Sequence, residues 1–222
     1  GDGIFETMLL HQGKIYYWDQ HYERLQASAK RLFIPCPDQA WFDQKLQGYI
    51  NLQQTLVLKI ILTRGNGGRG LRLPDTMIPN IYLFKYKHNL TNNQSVITYF
   101  SEITLPKNPN LNGLKHLNRL DYVLATQEMN SKSTFNEALI LNTDGFVIEG
   151  IVHNLFFVLD EKICTPDLTE SGVNGVIRQM ILKKLKAIGK NVKIGNFSKQ
   201  DILLASECFL CNSVQGIRPV RQ

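Results

Sequence analysis

Two side chains have the chemical character of catalytic groups, a lysine and a carboxylate. Lys115 follows a loop and precedes a helical pattern, and its neighbours His116 and Leu117 carry no like charge. A lysine that is partly desolvated at a domain junction has a lowered pKa, and its free amine can form a Schiff base. Glu149 interrupts an apolar run, and a buried carboxylate there needs a cationic or hydrogen-bonding partner. The alternative for Lys115 is an ordinary surface lysine, and the alternative for Glu149 is a residue on the polar face of an edge strand.

Two segments could bind an anion such as phosphate. Gly175 precedes a predicted helix whose first amides belong to Val176 and Ile177. A helix N-terminus carries about half a positive charge and several unpaired N–H donors. Asn212 and Ser213 lie where a predicted strand ends, so that a hydroxyl and loop amides could bind the same anion.

Three arginines could add positive charge. Arg24 lies within the first predicted helix, where the alternative is a solvated arginine paired with a glutamate. Arg64 and Arg69 lie in the glycine-rich loop 64–70, and together they could form a fork for carboxylates. The alternative for this loop is a mobile hairpin tip.

The composition is that of a folded chain with a modest positive charge. Apolar residues make up 43% and charged residues 20%, and 25 Lys and Arg against 19 Asp and Glu give a net charge of +6. No apolar run reaches the roughly 18–20 residues of a membrane-spanning helix. The basic residues are dispersed, so a phosphate or carboxylate ligand explains the charge as well as nucleic acid does. A nucleic-acid-binding module without catalysis has only this charge in its favour, because no aromatic residues interleave with the basic ones for base stacking.

Hydrophobic periodicity divides the chain into two α+β halves. We predict a domain at 1–104, a Pro-, Asn- and Gly-rich linker at 105–113 and a second domain at 114–222. The elements predicted in the first half are a hairpin of strands 4–10 and 14–17, helices from an Asp19 cap to 33 and from an Asp38 cap to 52, and strands 55–63, 80–86 and 95–103. Those predicted in the second half are helices 114–130 and 176–189, a helix capped by Ser198, a hairpin of strands 137–142 and 146–151, and strands 154–159, 163–166, 191–195 and 207–212.

Four cysteines without a disulfide framework are typical of a protein from a reducing cytoplasm. Cys208 and Cys211 form a single C-x-x-C on a predicted strand, where residues three apart face opposite sides, so we expect no metal site. The chain begins directly in a strand-like segment, which suggests that a first strand is missing.

The order of motifs along the chain is distinctive. The motifs are Gly1-Asp-Gly-Ile-Phe-Glu-Thr7, His21-Tyr-Glu-Arg24, Thr63-Arg-Gly-Asn-Gly-Gly-Arg69, Lys115 ahead of a helix, Glu149-Gly with Asn154-Leu-Phe, and Gly175-Val-Ile-Arg178. This order resembles the class IV (fold type IV) pyridoxal-phosphate enzymes. The resemblance implies a two-domain α+β fold, with an N-terminal α/β sandwich and a C-terminal pseudo-barrel, that assembles as a homodimer. It also implies that a first strand and a few dozen C-terminal residues are missing.

Within that class, the stretches 114–120, 172–179 and 212–220 resemble the aminodeoxychorismate lyases. The resemblance implies conversion of 4-amino-4-deoxychorismate to p-aminobenzoate and pyruvate in folate biosynthesis. The alternative is a class IV aminotransferase that acts on D-amino acids or branched-chain amino acids.

The resemblance also implies residue roles. Lys115 would bond covalently to pyridoxal phosphate and shuttle the proton, and Glu149 would face the pyridine nitrogen. Arg69 would bind a substrate carboxylate, with Thr7 lining the pocket. Aminotransferases of this class often place a tyrosine against the phenolic oxygen of the cofactor, a few residues after the lysine; here that role is vacant or belongs to Asn118 or Arg119. The remaining cofactor-binding residues would be Arg24, Asn154, Val176, Ile177, Asn212 and Ser213.

Overall fold

The computed structural model describes residues 1–50, 54–67, 69–73, 75–90 and 94–221. The chain forms two compact units. The first comprises Gly1–Leu90 and Lys115–Asn118, and the second comprises Thr91–Leu114 and Arg119–Gln222. The predicted linker at 105–113 and the domain limits on either side of it stay predictions.

The first unit is an antiparallel sheet with two helices. Its elements are β1 (Gly3–His11), β2 (Lys14–Ile15), α1 (Trp18–Arg31), α2 (Gln39–Ile50), β3 (Leu56–Thr63) and β4 (Asn80–Lys87). The strand order is β2-β1-β3-β4. Alternate residues of β1 and β3 are buried, among them Met8, Leu10, Leu58 and Ile60, and they share one apolar core with Phe42 of α2.

The turns and caps of this unit follow the predictions with one exception. Gln12 and Gly13 both have positive φ, 50° and 71°, and they connect the predicted hairpin of β1 and β2. Asp38 caps α2 as predicted, because its Oδ1 accepts the Trp41 N–H at 2.9 Å. The predicted cap at Asp19 is wrong: α1 begins at Trp18 with Tyr17 as its N-cap, and Asp19 lies in its first turn. The last two residues of the predicted second helix, 51–52, lie outside the described residues.

The segment around Lys115 differs from the prediction. A helix was expected from residue 114, whereas helix α3 spans Leu120–Asn130. The preceding residues run beside β1, where the Phe5 N–H donates to the Lys115 carbonyl and the Leu117 N–H donates to the Gly3 carbonyl, both at 2.9 Å. Because these peptide groups are already paired with a strand, they are not available to a helix.

The second unit is a mixed sheet of eight strands with three helices, α3 and two that follow it. The strands are β5 (Val96–Leu105), β6 (Glu137–Asn142), β7 (Val147–Gly150), β8 (Asn154–Leu159), β9 (Lys162–Pro166), β10 (Val192–Gly195), β11 (Glu207–Asn212) and β12 (Gly216–Arg221). The later helices are α4 (Val176–Ala187) and α5 (Lys199–Leu203). The strand order is β10-β9-β8-β11-β12-β5-β6-β7. Ser198 caps α5 as predicted, through a reciprocal capping box with Asp201.

Two strands of this sheet correct the predictions. β5 was expected to complete the first half, but it pairs with β6 and β12 in the second sheet. β12 was not predicted, because Pro219 and the exposed, alternating polar residues of this strand weaken the pattern. Within the described ranges, no helix is long and apolar enough to cross a membrane, and no group of three or more metal-binding side chains occurs.

Candidate active site

Glu149 is the best-defined polar group of the second unit. The side chain lies on β7 and is only 3% exposed, so the alternative of a solvated polar face is wrong. The Tyr122 hydroxyl donates to Oε1 at 2.5 Å, and Nδ2 of Asn154 donates to Oε2 at 3.0 Å. The Val173 N–H lies 3.1 Å from both oxygens. These neutral donors offset the cost of burying a carboxylate, and they suit its ionised form.

Asn154 connects this carboxylate to the start of α4. Its Oδ1 accepts the Gly175 N–H at 3.1 Å, and its Nδ2 also donates to the Val173 carbonyl at 2.9 Å. A Cβ atom at Gly175 would lie 2.0 Å from that Oδ1, so only glycine fits against the asparagine. One side chain therefore fixes both the carboxylate and the helix start.

The N-terminus of α4 has the features of an anion-binding site. Gly175 is its N-cap, no described side chain caps it, and its first turn holds no acidic residue. The side chains of Val176 and Ile177 are buried. Arg178 binds the Pro166 carbonyl at 2.9 Å, and burial lowers the pKa of its guanidinium. Backbone amides, with this nearby positive charge, are the donors available to an anion here.

The turn after β11 is built by Asn212. Its Oδ1 accepts the N–H groups of Val214 at 3.0 Å and Gln215 at 2.7 Å, and its Nδ2 donates to the Val152 carbonyl at 3.3 Å. The side chain therefore shapes the turn. The Ser213 hydroxyl, which lies in the turn, makes no hydrogen bond with the described residues.

A buried triad of charged and polar side chains lies in the first unit. Glu6 of β1 accepts from the Nε atom of Arg24 at 2.8 Å and from its Nη2 atom at 2.5 Å, and it lies 2.6 Å from Nδ1 of His21. Burial alone would raise the pKa of Glu6, but the charge of Arg24 and the hydrogen bonds from His21 and Arg24 lower it to about 2. Arg24 is thus paired with a glutamate, as the alternative from the sequence proposed. It is not solvated as that alternative expected, because its side chain is only 10% exposed.

Sequence reasoning missed Glu6 and His21, although the sequence carries a signal for both. Glu6 is the only charged residue in the apolar strand 4–10, and His21 and Arg24 are three apart on one face of a helix. Burial lowers the pKa of His21, and the charges of Arg24 and Lys115 lower it further, against the hydrogen bond with Glu6. Nε2 of His21 has no partner among the described residues.

Lys115 is a half-buried residue of the first unit, not an ordinary surface lysine. Its Nζ lies 4.5 Å from the ring centroid of Phe5, and Nζ of Lys59 lies 4.8 Å from the same centroid. Two ammonium groups therefore lie close to one aromatic ring, whose π-system attracts cations. Thr7 pairs in register with Lys59, and its role in lining a pocket stays a prediction.

The two loop arginines differ in their surroundings. Arg64 binds Asp2 through Nε at 2.7 Å and through Nη2 at 3.0 Å, and its Nη1 donates to the Phe33 carbonyl at 3.1 Å. The expectation that Arg64 joins a carboxylate fork is therefore wrong, because its donors already tie the loop to the unit. Arg69 is exposed, and its substrate role stays a prediction. Gly68 of the same loop lies outside the described residues.

Asn118 and Arg119, the candidates for contact with the phenolic oxygen of the cofactor, directly precede α3 in the sequence. Arg119 donates to the Leu114 carbonyl at 2.9 Å, and its guanidinium lies 4.6 Å from the ring centroid of Tyr122. The Asn118 N–H donates to Nδ1 of His116 at 3.2 Å. The contact of either residue with the phenolic oxygen stays a prediction.

The fold and the clusters together match the architecture that the motifs implied, a fold type IV enzyme. The family model for class IV amino-transferases matches residues 3–222, and the chain belongs to this family. The chain is 36% identical to the aminodeoxychorismate lyase of Vibrio harveyi, over 99% of this chain and 82% of that protein.

Comparison of structures agrees with this family. The crystal structure of 4-amino-4-deoxychorismate lyase from Pseudomonas aeruginosa has a TM-score of 0.91 and 37% identity, over 99% of this chain and 82% of that chain. A putative branched-chain-amino-acid aminotransferase of Methanocaldococcus jannaschii is 29% identical, over 99% of this chain and 78% of that protein. The prediction of fold type IV is confirmed.

Proposed function

We propose that this chain is a pyridoxal-phosphate-dependent lyase that converts 4-amino-4-deoxychorismate to p-aminobenzoate and pyruvate. The likeness to the Vibrio harveyi and Pseudomonas aeruginosa lyases over nearly the whole chain supports this reaction above amino transfer. The observation that carries the proposal is the buried Glu149 carboxylate, which Asn154 connects to the uncapped start of α4.

The donors and acceptors present fit the two ends of pyridoxal phosphate. The Glu149 carboxylate is suited to a protonated pyridine nitrogen, because opposite charges stabilise each other in a buried site. The amides of Val176 and Ile177 are suited to a phosphate. The Ser213 hydroxyl, which has no partner within the described part of the chain, the turn that Asn212 shapes and the guanidinium of Arg24 would supply further phosphate donors. When bound, the cofactor supplies a carbonyl that bonds to an amine and a ring that withdraws electrons.

Lys115 supplies the amine and then the base. With the substrate bound, Nζ of Lys115 would remove the proton from the ring carbon that bears the substrate amine. The enolpyruvyl group leaves from the neighbouring carbon, the carbon–oxygen bond breaks, and the ring becomes aromatic. The leaving enolate takes up a proton at its methylene carbon, which balances the proton removed by Lys115, and is released as pyruvate. Because aromatisation drives the reaction, the protein needs mainly to position base and substrate. Arg69 and Thr7 are the residues we assign to the substrate.

A product assay tests the reaction. The protein is incubated with pyridoxal phosphate and 4-amino-4-deoxychorismate, p-aminobenzoate is quantified by chromatography, and pyruvate by coupled reduction to lactate. We expect both products in equal amounts. Amino transfer from D-amino acids or branched-chain amino acids to 2-oxoglutarate, without release of pyruvate, would contradict the lyase and support the aminotransferase.

We further propose a homodimer. Tyr82, Phe84 and Tyr86 form an exposed row on the edge strand β4, with ring centroids 6.4 and 6.5 Å apart. Three exposed aromatic side chains on the edge strand of a sheet are a candidate protein–protein interface. The family resemblance implies that a second copy of the chain covers it. Sedimentation velocity distinguishes dimer from monomer.

We also propose that the protein works in the cytoplasm. All four cysteines are free thiols, as is usual in a reducing compartment. Fractionation of cells that produce the protein, followed by immunodetection, tests this location.

A further inference from the structure

We propose that Tyr122 is a positioning residue of the cofactor site, which acts through Glu149 to keep a proton on the pyridine nitrogen. This inference rests on the proposed function insofar as it requires pyridoxal phosphate. It concerns a residue that the family motifs quoted above do not include.

The contact between the two side chains is short and specific. The Tyr122 hydroxyl donates to Oε1 of Glu149 at 2.5 Å, whereas Nδ2 of Asn154 and the Val173 nitrogen lie 3.0 and 3.1 Å from the carboxylate oxygens. Hydrogen bonds to an ionised acceptor are shorter and stronger than those between neutral groups. The Tyr122 hydroxyl is therefore a stronger donor to Oε1 than the Val173 N–H.

The surroundings of Tyr122 keep the phenol in the form that donates. Burial raises the pKa of Tyr122 well above its ordinary value of 10.0, and the charge of Glu149 and the hydrogen bond to it raise the pKa further, against the charge and the hydrogen bond of Arg119. The Arg119 guanidinium lies 4.6 Å from the ring centroid, and the ring packs against the apolar cluster of Ala125 and Ile148. The ring is thereby fixed on two sides, and its hydroxyl is directed at the carboxylate.

This hydrogen bond affects where a shared proton resides. A donor to a carboxylate stabilises its negative charge and makes it a weaker base. A weaker base at Glu149 leaves the proton on the pyridine nitrogen, and a charged ring nitrogen withdraws electrons more strongly. Without the hydroxyl, Oε1 retains the Val173 N–H at 3.1 Å, and the carboxylate becomes a stronger base that competes for the proton.

The variant Tyr122→Phe removes the hydroxyl, and with it the hydrogen bonds to Glu149 and with Arg119, while the ring that packs against the cluster remains. We expect its dissociation constant for pyridoxal phosphate to rise about five- to tenfold, because the charge-assisted bond between carboxylate and protonated pyridine is partly replaced by a weaker bond between neutral groups. The cofactor analogue in which carbon replaces the ring nitrogen should bind wild type and variant equally. Nitrogen NMR of ring-labelled cofactor should show the variant shifted toward the unprotonated pyridine.

Tyr99→Phe is a matched control. The Tyr99 ring packs against the same apolar cluster, and its buried hydroxyl has no partner among the described residues. Its removal should leave the affinity for cofactor and the nitrogen shift unchanged. Thermal melting of both variants without cofactor verifies that each is folded.

The outcomes separate this inference from the proposed function. Equal binding of pyridoxal phosphate by wild type and Tyr122→Phe, with an unchanged nitrogen shift, would overturn the role of Tyr122 and leave the lyase intact. An equal loss of affinity for cofactor and analogue would reduce Tyr122 to a structural role. A wild type that binds no pyridoxal phosphate would overturn both proposals.

Discussion

Nδ2 of Asn154 lies 3.0 Å from Oε2 of Glu149, and Oδ1 of the same asparagine lies 3.1 Å from the Gly175 nitrogen. One amide group thus bridges a buried carboxylate, which favours a positively charged ligand group, and a helix N-terminus, which favours a negatively charged one. A ligand with a cationic ring at one end and an anionic group at the other matches this pair. Any displacement of Asn154 should therefore weaken binding at both ends.

The variant Gly175→Ala tests this bridge. A methyl group at that position would lie 2.0 Å from Oδ1 of Asn154, so the asparagine must move and lose its contacts with both partners. The backbone there has φ −64° and ψ 144°, which alanine adopts without strain, so the effect comes from the contact alone. We expect at least tenfold weaker binding of pyridoxal phosphate, measured by equilibrium titration.

Gly48→Ala is the matched control for this substitution. Gly48 lies within α2, and a methyl group there would meet nothing within 4 Å. Alanine should stabilise the helix by about 0.5–1 kcal/mol and leave cofactor binding unchanged. Equal cofactor affinity of Gly175→Ala and wild type would show that the bridge is not needed for binding.

The buried triad predicts loss of stability in acid. The pKa of Glu6 falls from 4.5 to about 2, where burial opposes the shift and Arg24 drives it. Because the pKa of Glu6 is lower in the folded than in the unfolded state, the ionised carboxylate stabilises the fold at pH values above about 4.5. This stability is lost as the pH falls from about 4.5 toward 2. The shift corresponds to a change on the order of 3 kcal/mol in the free energy of unfolding. Urea denaturation across this pH range measures it.

The variant Glu6→Gln should lose most of this pH dependence, because glutamine does not titrate. It should also be about 3–5 kcal/mol less stable near neutral pH, since Arg24 loses its buried partner. Glu23→Gln, on the exposed face of α1, is the control and should behave as wild type. An acid slope in Glu6→Gln as steep as that of wild type would assign the slope to other groups.

We predict that the Ser213 hydroxyl contacts the phosphate group of the cofactor. Because this hydroxyl makes no hydrogen bond with the described residues, Ser213→Ala should not change the melting temperature. We expect weaker binding of pyridoxal phosphate by about three- to tenfold, as for one lost hydrogen bond, and no change for pyridoxal, which lacks the phosphate.

Ser131→Ala is the control for the hydroxyl. Ser131 is exposed at the end of α3, where it donates to the Glu128 carbonyl at 2.6 Å. Its loss should affect neither ligand. If Ser213→Ala weakened pyridoxal as much as pyridoxal phosphate, the hydroxyl would not contact the phosphate.

Much of the fold follows from local patterns in the sequence. The hairpin through residues 11–13, the cap at Asp38 and the capping box at Ser198 all depend on neighbouring residues, and they form as predicted. The placement of β5 could not be predicted in this way, because its partners β6 and β12 are distant in the chain. The same reason explains the late start of α3, since pairing with β1 outweighs the helical pattern before Leu120.

In the polar clusters of the two units as well, some residues could be predicted from local sequence and others could not. The interruption of an apolar run identified Glu149 from sequence, and the family motif supplied Asn154. Tyr122 carried no local signal, because its contact with Glu149 spans 27 residues. Arg64 resembled a ligand-binding arginine in sequence, but it binds Asp2, 62 positions away. Local composition identifies polar residues, whereas their partners depend on tertiary contacts.

Covalent trapping at Lys115 tests the central claim most directly. The protein is loaded with pyridoxal phosphate, reduced with borohydride, digested and analysed by mass spectrometry, with Lys59→Ala as the control because Lys59 contacts the same Phe5 ring. We predict that the reduced cofactor is attached to the peptide of Lys115 in wild type and in the control, and that Lys115→Ala carries none. Attachment at another lysine, or labelling of Lys115→Ala equal to that of wild type, would contradict the account.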